Sequence, residues 1–129
     1  MNMRGSLVPA RVLIFADDQD VRLVIKDRLE YEGYGVTLAS RAEELEQGFR
    51  CAAAVLDLAL YDSSRLSIVY RLWALNPQLP MIILTGHDSD DRLLQSLPNR
   101  LWEKMRKPYD SDDLKGKVRQ AVNQRQQKD

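Results

Sequence analysis

Short apolar runs alternate with longer amphipathic stretches along the chain. Five runs have the length of strands, and the third is small or apolar almost without interruption, which is typical of a strand covered on both faces. The fifth is the least regular, because charged side chains interrupt its apolar ones. The runs occupy residues 12–15, 35–39, 53–58, 81–84 and 101–106.

The stretches between the runs carry apolar side chains at helical spacing. In the first stretch Ile25 and Leu29 are four residues apart, and Gly33 follows as a helix stop. Ser40 followed by Glu43 has the spacing of a capping box at the start of a second helix. We predict five helices, at about 20–31, 40–49, 66–75, 88–97 and 110–122, and a frayed polar tail over 123–129.

This alternation predicts an α/β fold with a parallel sheet, right-handed crossovers and helices on both faces. The carboxyl ends of parallel strands share one edge, and ligands of such sheets bind beyond it. Asp17 and Asp18 follow the first run, Asp57 lies near the end of the third, and Thr85 follows the fourth. We therefore expect these side chains at one cleft.

Length and composition narrow the class of protein. A chain of 129 residues suits one domain, which we place at 11–124 between tails at 1–10 and 125–129. Its 19 basic and 19 acidic side chains cancel, which argues against direct binding of nucleic acid. No apolar run approaches the roughly 18 residues of a membrane span, and the first ten residues contain no signal peptide, so we expect a cytoplasmic protein without membrane contact. Cys51 is the single cysteine and is interpreted as a small, inert thiol rather than a reactive one.

The expected cleft brings together carboxylates and groups that suit phosphate. Three crowded carboxylates repel one another unless a cation is present. Oxygen-only ligands favour a hard cation, for which Mg²⁺ is the best candidate, and no set of histidines and cysteines supports zinc. Lys107 supplies an ammonium and Thr85 a hydroxyl for phosphate oxygens. These are the parts of a site in which a carboxylate is the nucleophile toward phosphorus.

An ordered set of motifs over about residues 11–124 resembles the receiver domain of two-component response regulators. Each motif is weak alone, but together they are specific: Asp17-Asp18, Asp57, Thr85 and Lys107-Pro108. The resemblance implies a flavodoxin-like, doubly wound sheet of five parallel strands in the order 2-1-3-4-5, with five helices. It also implies that Asp57 accepts a phosphoryl group from a histidine kinase or a phosphotransfer protein.

The resemblance assigns further roles. Asp18 and Asp57 would bind Mg²⁺ directly, Asp17 through water, and Ala59 through its carbonyl oxygen. Lys107 would pair with Asp57 and then with its phosphoryl group, while Thr85 would move to hydrogen-bond that group. The bond before Pro108 would be cis. The expected protein is a stand-alone switch and not an enzyme; it would be a monomer or weak homodimer acting on a downstream protein.

Several positions depart from the pattern of the resembled family. Tyr61 and Arg65 occupy positions where receivers usually have proline and glycine, and Lys104 replaces the aromatic switch. A lysine cannot bury its charge unpaired, so we expect its stem along the surface and its ammonium in water. Trp102 is interpreted either as a substitute moving aromatic or as a packing residue. These departures leave open an alternative, an interaction module that no longer responds to phosphorylation.

Two further alternatives concern the chemistry of the cleft: the role of His87 at its mouth, and whether the site acts on an outside substrate. His87 either influences loss of the phosphoryl group by hydrolysis or is a surface residue without a catalytic role. A Mg²⁺-dependent phosphatase acting on an outside substrate would also use aspartates at strand ends. The chain has no aspartate two residues after Asp57 to serve as general acid and no cap domain, which disfavours the phosphatase.

Overall fold

The computed structural model describes residues 9–45, 50–58, 66–86, 89–97 and 102–128. Strands and helices alternate along these residues, as the apolar pattern predicts. The strands are β1 (Arg11–Ala16), β2 (Gly35–Ala39), β3 (Ala53–Asp57), β4 (Met81–Thr85) and β5 (Trp102–Arg106). The helices are α1 (Gln19–Tyr31), a 3₁₀ helix (Ala42–Glu44), α2 (Ser67–Leu75), α3 (Ser89–Leu94) and α4 (Ser111–Lys128).

The five strands form one parallel sheet in the order β2-β1-β3-β4-β5. This confirms the expected order and places β1, β3 and β4 in the middle, where both edges of each strand are paired. Their side chains alternate between two apolar cores. One core contains Leu13, Leu56 and Ile83 and lies under α2 and α3; the other contains Ile14 and Val55 and lies under α1 and α4.

The charged fifth strand is explained by its place in the sheet. β5 is an edge strand, and Glu103, Lys104 and Arg106 are exposed. Met105 is buried in the core under α1 and α4, and Trp102 packs against the opposite core. An edge strand with exposed charges is a common protection against pairing with another chain. The weak apolar pattern therefore still marks a strand.

Two helix predictions were wrong. The stretch after β2 forms only the short 3₁₀ helix among the described residues, so these contain four α-helices instead of five; residues 46–49 lie outside them. The carboxylate of Glu44, not that of Glu43, accepts the backbone N–H of Ser40 and Arg41, at 2.7 and 3.0 Å. This contact closes a tight turn in place of the capping box of a longer helix.

The last helix also differs from its prediction. α4 continues to Lys128, whereas a frayed tail was expected from residue 123. The added residues are mostly glutamine, arginine and lysine, which favour helix, so polarity alone is a poor sign of fraying. Its start agrees with the prediction, since Oδ1 of Asp110 accepts the backbone N–H of Asp112 at 2.7 Å. Gly33 follows α1 with φ of 98°, as expected of a glycine at a helix stop.

Two smaller findings concern the described residues. Cys51 is buried, in agreement with its interpretation as an inert thiol. None of the helices in this part of the chain is both long and apolar enough to cross a membrane.

Candidate functional site

Three carboxylates lie where β1 and β3 end at the same edge of the sheet. Ala16 and Asp57 are paired neighbours in the two strands, so Asp17 comes directly after the position beside Asp57. Asp18 follows and directly precedes α1. The side chain of Asp57 is largely buried, at 11% exposure, whereas Asp17 and Asp18 are exposed. We call Asp17, Asp18 and Asp57 the acidic edge.

Asp18 is also the N-cap of α1. Its Oδ1 accepts the backbone N–H of Asp20 at 2.7 Å and that of Val21 at 3.2 Å. Both donors belong to the first turn of the helix, whose N–H groups have no partner within the helix. The cap holds one carboxylate oxygen against the helix, and Oδ2 takes no part in it. Asp18 can therefore serve the helix and a cation through different oxygens.

Asp57 forms an ion pair with a lysine that follows β5. Nζ of Lys107 lies 2.6 Å from Oδ1 of Asp57. The backbone N–H of Lys107 donates to the carbonyl oxygen of Thr85 at 2.7 Å, which extends the pairing of β4 and β5 by one residue. The Lys107-Pro108 bond is cis, as expected. The pairing of the strands thus brings the Lys107 ammonium to the Asp57 carboxylate, although 50 residues separate them in sequence.

Thr85 contributes a buried hydroxyl beside this pair. Its side chain is 0% exposed, and Oγ1 has no hydrogen-bond partner among the described residues. A buried hydroxyl without a partner costs about 1–3 kcal/mol, so this atom is a ready donor or acceptor for a bound group. The structure places Asp57, Lys107 and Thr85 at one edge of the sheet, which was the placement expected of them.

Sequence reasoning missed Arg22, a second cation at this edge. Its Nη1 donates to the carbonyl oxygens of Ala16 at 2.6 Å and of Asp17 at 3.2 Å. Arg22 is four residues after the N-cap Asp18, and a residue at that spacing points back toward the start of the helix. This spacing was the available signal. The contacts fix the backbone from which the acidic edge extends.

The pKa of Tyr109, two residues after Lys107, is affected by burial and by the charge of Asp57. Burial raises the pKa of its phenol, and the negative charge of Asp57 raises it further, while the Arg28 guanidinium lowers it. The raised pKa extends to higher pH the range in which the phenol is protonated. Tyr109 also packs against the core under α1 and α4, so it lies between that core and the charge of Asp57.

The acidic edge offers oxygen ligands of the kind that Mg²⁺ prefers, but its side chains are not arranged around a common point. Its ligands are oxygens, as a hard cation requires. Within the part of the chain that the structure describes, no three His, Cys, Asp or Glu side chains are close enough to hold a metal ion as they stand. One oxygen of Asp57 is turned to Lys107 and one of Asp18 to the helix. Binding a cation therefore requires these side chains to rearrange; Ala59 lies outside the described residues.

The structure also shows some of the residues that differ from the receiver pattern. Lys104 is exposed on β5, in agreement with the expectation that its ammonium stays in water. Trp102 is half-buried and packs against the core under α2 and α3, which supports the packing interpretation. Tyr61, Arg65 and His87 lie outside the described residues.

Comparison with known proteins gives a family match over most of the chain. Residues 12–119 match the family model described as the response regulator receiver domain. A solved receiver domain from Clostridium thermocellum is 26% identical with a TM-score of 0.77, covering 91% of this chain and 97% of that one. A receiver domain protein from Methanospirillum hungatei has the same fold, with a TM-score of 0.78 at 22% identity, covering 94% of this chain and 99% of that one.

Two curated bacterial proteins are similar in sequence but longer. The transcriptional regulatory protein YkoG of Bacillus subtilis is 30% identical over 118 residues, which cover 88% of this chain and 51% of that protein. The C4-dicarboxylate transport transcriptional regulatory protein DctD of Rhizobium meliloti is 28% identical over 117 residues, covering 88% of this chain and 25% of that protein. The chain thus spans about half or less of the length of these relatives.

Proposed function

The chain belongs to the response regulator receiver domain family, and from this premise we propose that Asp57 accepts a phosphoryl group in a Mg²⁺-dependent reaction that switches partner binding. The observation that carries the proposal is the ion pair of Asp57 and Lys107, 2.6 Å long, beside the Thr85 hydroxyl, which has no hydrogen-bond partner in the described part of the chain. A nucleophile, a counter-charge and a hydrogen-bond donor are the groups that phosphoryl transfer to a carboxylate needs. The activity is that of a signalling switch rather than an enzyme with an outside substrate.

The transfer begins at a carboxylate oxygen of Asp57. That oxygen attacks the phosphorus of a phosphohistidine on the donor protein, and an O–P bond forms as the P–N bond breaks. The imidazole leaves with the electron pair of that bond and takes up a proton. Lys107 holds the carboxylate in place before transfer and pairs with a phosphoryl oxygen after it.

The acidic edge would hold the cation that this reaction needs. Asp18 and Asp57 would bind Mg²⁺ directly, Asp17 through water, and Ala59 through its carbonyl oxygen. When bound, Mg²⁺ offsets negative charge on the incoming phosphoryl group. The second oxygen of Asp18 suits this role because Oδ1 already caps α1.

The phosphoryl group would then recruit Thr85. Its hydroxyl donates to a phosphoryl oxygen, so the transfer gives a partner to a buried atom that has none among the described residues. Because β4 pairs with β5, the new contact biases the position of β5 and the surface around it.

This switch implies two protein partners. One is the phosphodonor, a histidine kinase or a phosphotransfer protein, and the other is a downstream protein that recognises the altered surface. Both would meet the domain in the cytoplasm, where it would be a monomer or a weak homodimer. No direct contact with nucleic acid is proposed for this domain, although some relatives are named as transcriptional regulators.

The exposed Lys104 favours a second candidate, an interaction module that does not respond to phosphorylation. A lysine in water cannot move into a pocket vacated by Thr85 at small cost. Amide hydrogen exchange in β4 and β5, measured with and without phosphodonor, separates the two. Unchanged exchange in a fully phosphorylated sample supports the module.

Intact-mass analysis after incubation with a small-molecule phosphodonor tests the main proposal. We expect the parent protein to gain a single phosphoryl group in the presence of Mg²⁺ and none after chelation. Asp57→Ala gains none under either condition. Absence of the gain at saturating donor and Mg²⁺ would overturn the proposal.

A further inference from the structure

We propose that Arg106 is an additional phosphoryl-binding residue, which acts with Thr85 and Lys107 when Asp57 is phosphorylated. The inference rests on the proposed function and deepens it by adding a second side-chain cation to the phosphorylated site. It is carried by the placement of Arg106 beside the buried hydroxyl of Thr85.

The sheet sets Arg106 directly beside Thr85. The two residues are paired neighbours at the last position of β4 and β5, so roughly 5 Å separates their backbones. Both are followed by the loops at the carboxyl edge, where Asp57 also lies. The side chain of Arg106 is exposed, so it can reorient without leaving a cavity.

Strand alternation places both side chains on the same face. Ile83 and Trp102 belong to the core under α2 and α3, whereas Leu84 and Met105 belong to the opposite core. Because successive side chains in a strand alternate between faces, Thr85 falls on the face of Ile83 and Arg106 on that of Trp102.

The charge of the phosphorylated site gives Arg106 a function. A phosphoryl group carries about −1.5 to −2 at neutral pH and adds to the carboxylates of Asp17 and Asp18. A magnesium ion and Lys107 would still leave about one excess negative charge. Arginine suits this place because its planar guanidinium donates to two phosphoryl oxygens at once and remains charged.

Lys104 provides a matched control on the same strand. It has the same charge and the same exposed face, but it pairs with Ile83 and so lies two residues, roughly 7 Å, further from the carboxyl edge. A general effect of positive charge on β5 would appear with either residue. A contact with the phosphoryl group would appear with Arg106 alone.

The test measures binding of beryllium fluoride, a small anionic phosphoryl analogue, to the full chain in the presence of Mg²⁺. We expect Arg106→Gln to weaken binding roughly three- to tenfold, and Lys104→Gln less than twofold. Arg106→Lys should recover part of the loss, because it restores charge without the paired donors. Mg²⁺ affinity measured without the analogue should not fall in Arg106→Gln, whereas a merely structural loss would lower both affinities.

The outcomes separate this inference from the proposed function. Parent-like binding by Arg106→Gln, while Asp57→Ala fails to bind, overturns the role of Arg106 and leaves the acceptor site intact. Equal losses in Arg106→Gln and Lys104→Gln also overturn it in favour of general electrostatics. Failure of the parent protein to bind the analogue with Mg²⁺ present counts against the proposed function itself.

Discussion

Replacing Thr85 with valine should stabilise the domain and impair its response. Valine has nearly the shape of threonine, favours strands, and substitutes a methyl group for a hydroxyl that is 0% exposed and unpartnered among the described residues. Removing an unsatisfied buried hydroxyl recovers part of its cost of about 1–3 kcal/mol. We expect a net gain of about 1–2 kcal/mol in the free energy of unfolding.

Urea unfolding of the parent, Thr85→Val and Thr85→Ser measures this gain. Thr85→Ser keeps the hydroxyl and loses a buried methyl group, so it should lose about 1 kcal/mol, and the slope against urea should be equal in all three proteins. Beryllium fluoride should bind Thr85→Val more weakly than the parent in spite of the higher stability. A loss of stability in Thr85→Val would refute the reasoning, because it would show that the hydroxyl is already well bonded in the unphosphorylated domain.

Three other predictions concern stability. Asp18→Ala should lose about 1 kcal/mol of unfolding free energy because it removes the helix cap, whereas Asp18→Asn should lose little. Both variants should bind Mg²⁺ more weakly than the parent in calorimetry. Parent-like Mg²⁺ binding by Asp18→Asn would contradict the metal role. Gly116 lies inside α4, and the position that a Cβ would take there is open space, so Gly116→Ala should gain about 0.5–1 kcal/mol of unfolding free energy, measured in urea. Gly33→Ala, at φ of 98°, should instead lose stability; a loss in both variants would contradict this. Backbone N–H groups lower the pKa of Glu44, so its carboxylate stabilises the fold above its unfolded pKa and this contribution is lost as pH falls through the folded pKa; Glu44→Gln should be less stable than the parent at pH 7, and this difference should disappear once the pH is below the folded pKa.

Much of the fold follows from local patterns in the sequence. Strands in the middle of a parallel sheet must be apolar on both faces, which is why β1, β3 and β4 were predictable as continuous runs. The residues that follow those strands were expected at one edge because the carboxyl ends of parallel strands lie on the same side of a sheet. Strand order came from the resemblance to a family, since apolar runs do not state which strands are neighbours.

The errors arose where tertiary contacts outweigh local signals. Ser40 and Glu43 have the spacing of a capping box, but Glu44 caps the turn instead, because the side chain that reaches the N–H groups depends on the path of the backbone. The backbone contacts of Arg22 and the burial of the Thr85 hydroxyl were likewise hidden, although the sequence did predict a role for Thr85 toward phosphate. The first depend on carbonyl oxygens at the end of a strand, and the second on the packing of the sheet.

Titration calorimetry with Mg²⁺ tests the central claim most directly, since the account requires Asp17, Asp18 and Asp57 to share one divalent cation. The parent protein should take up a single Mg²⁺ per chain, and Asp57→Ala should take up none over the same concentration range. No uptake by the parent, or equal uptake by both proteins, would contradict the account.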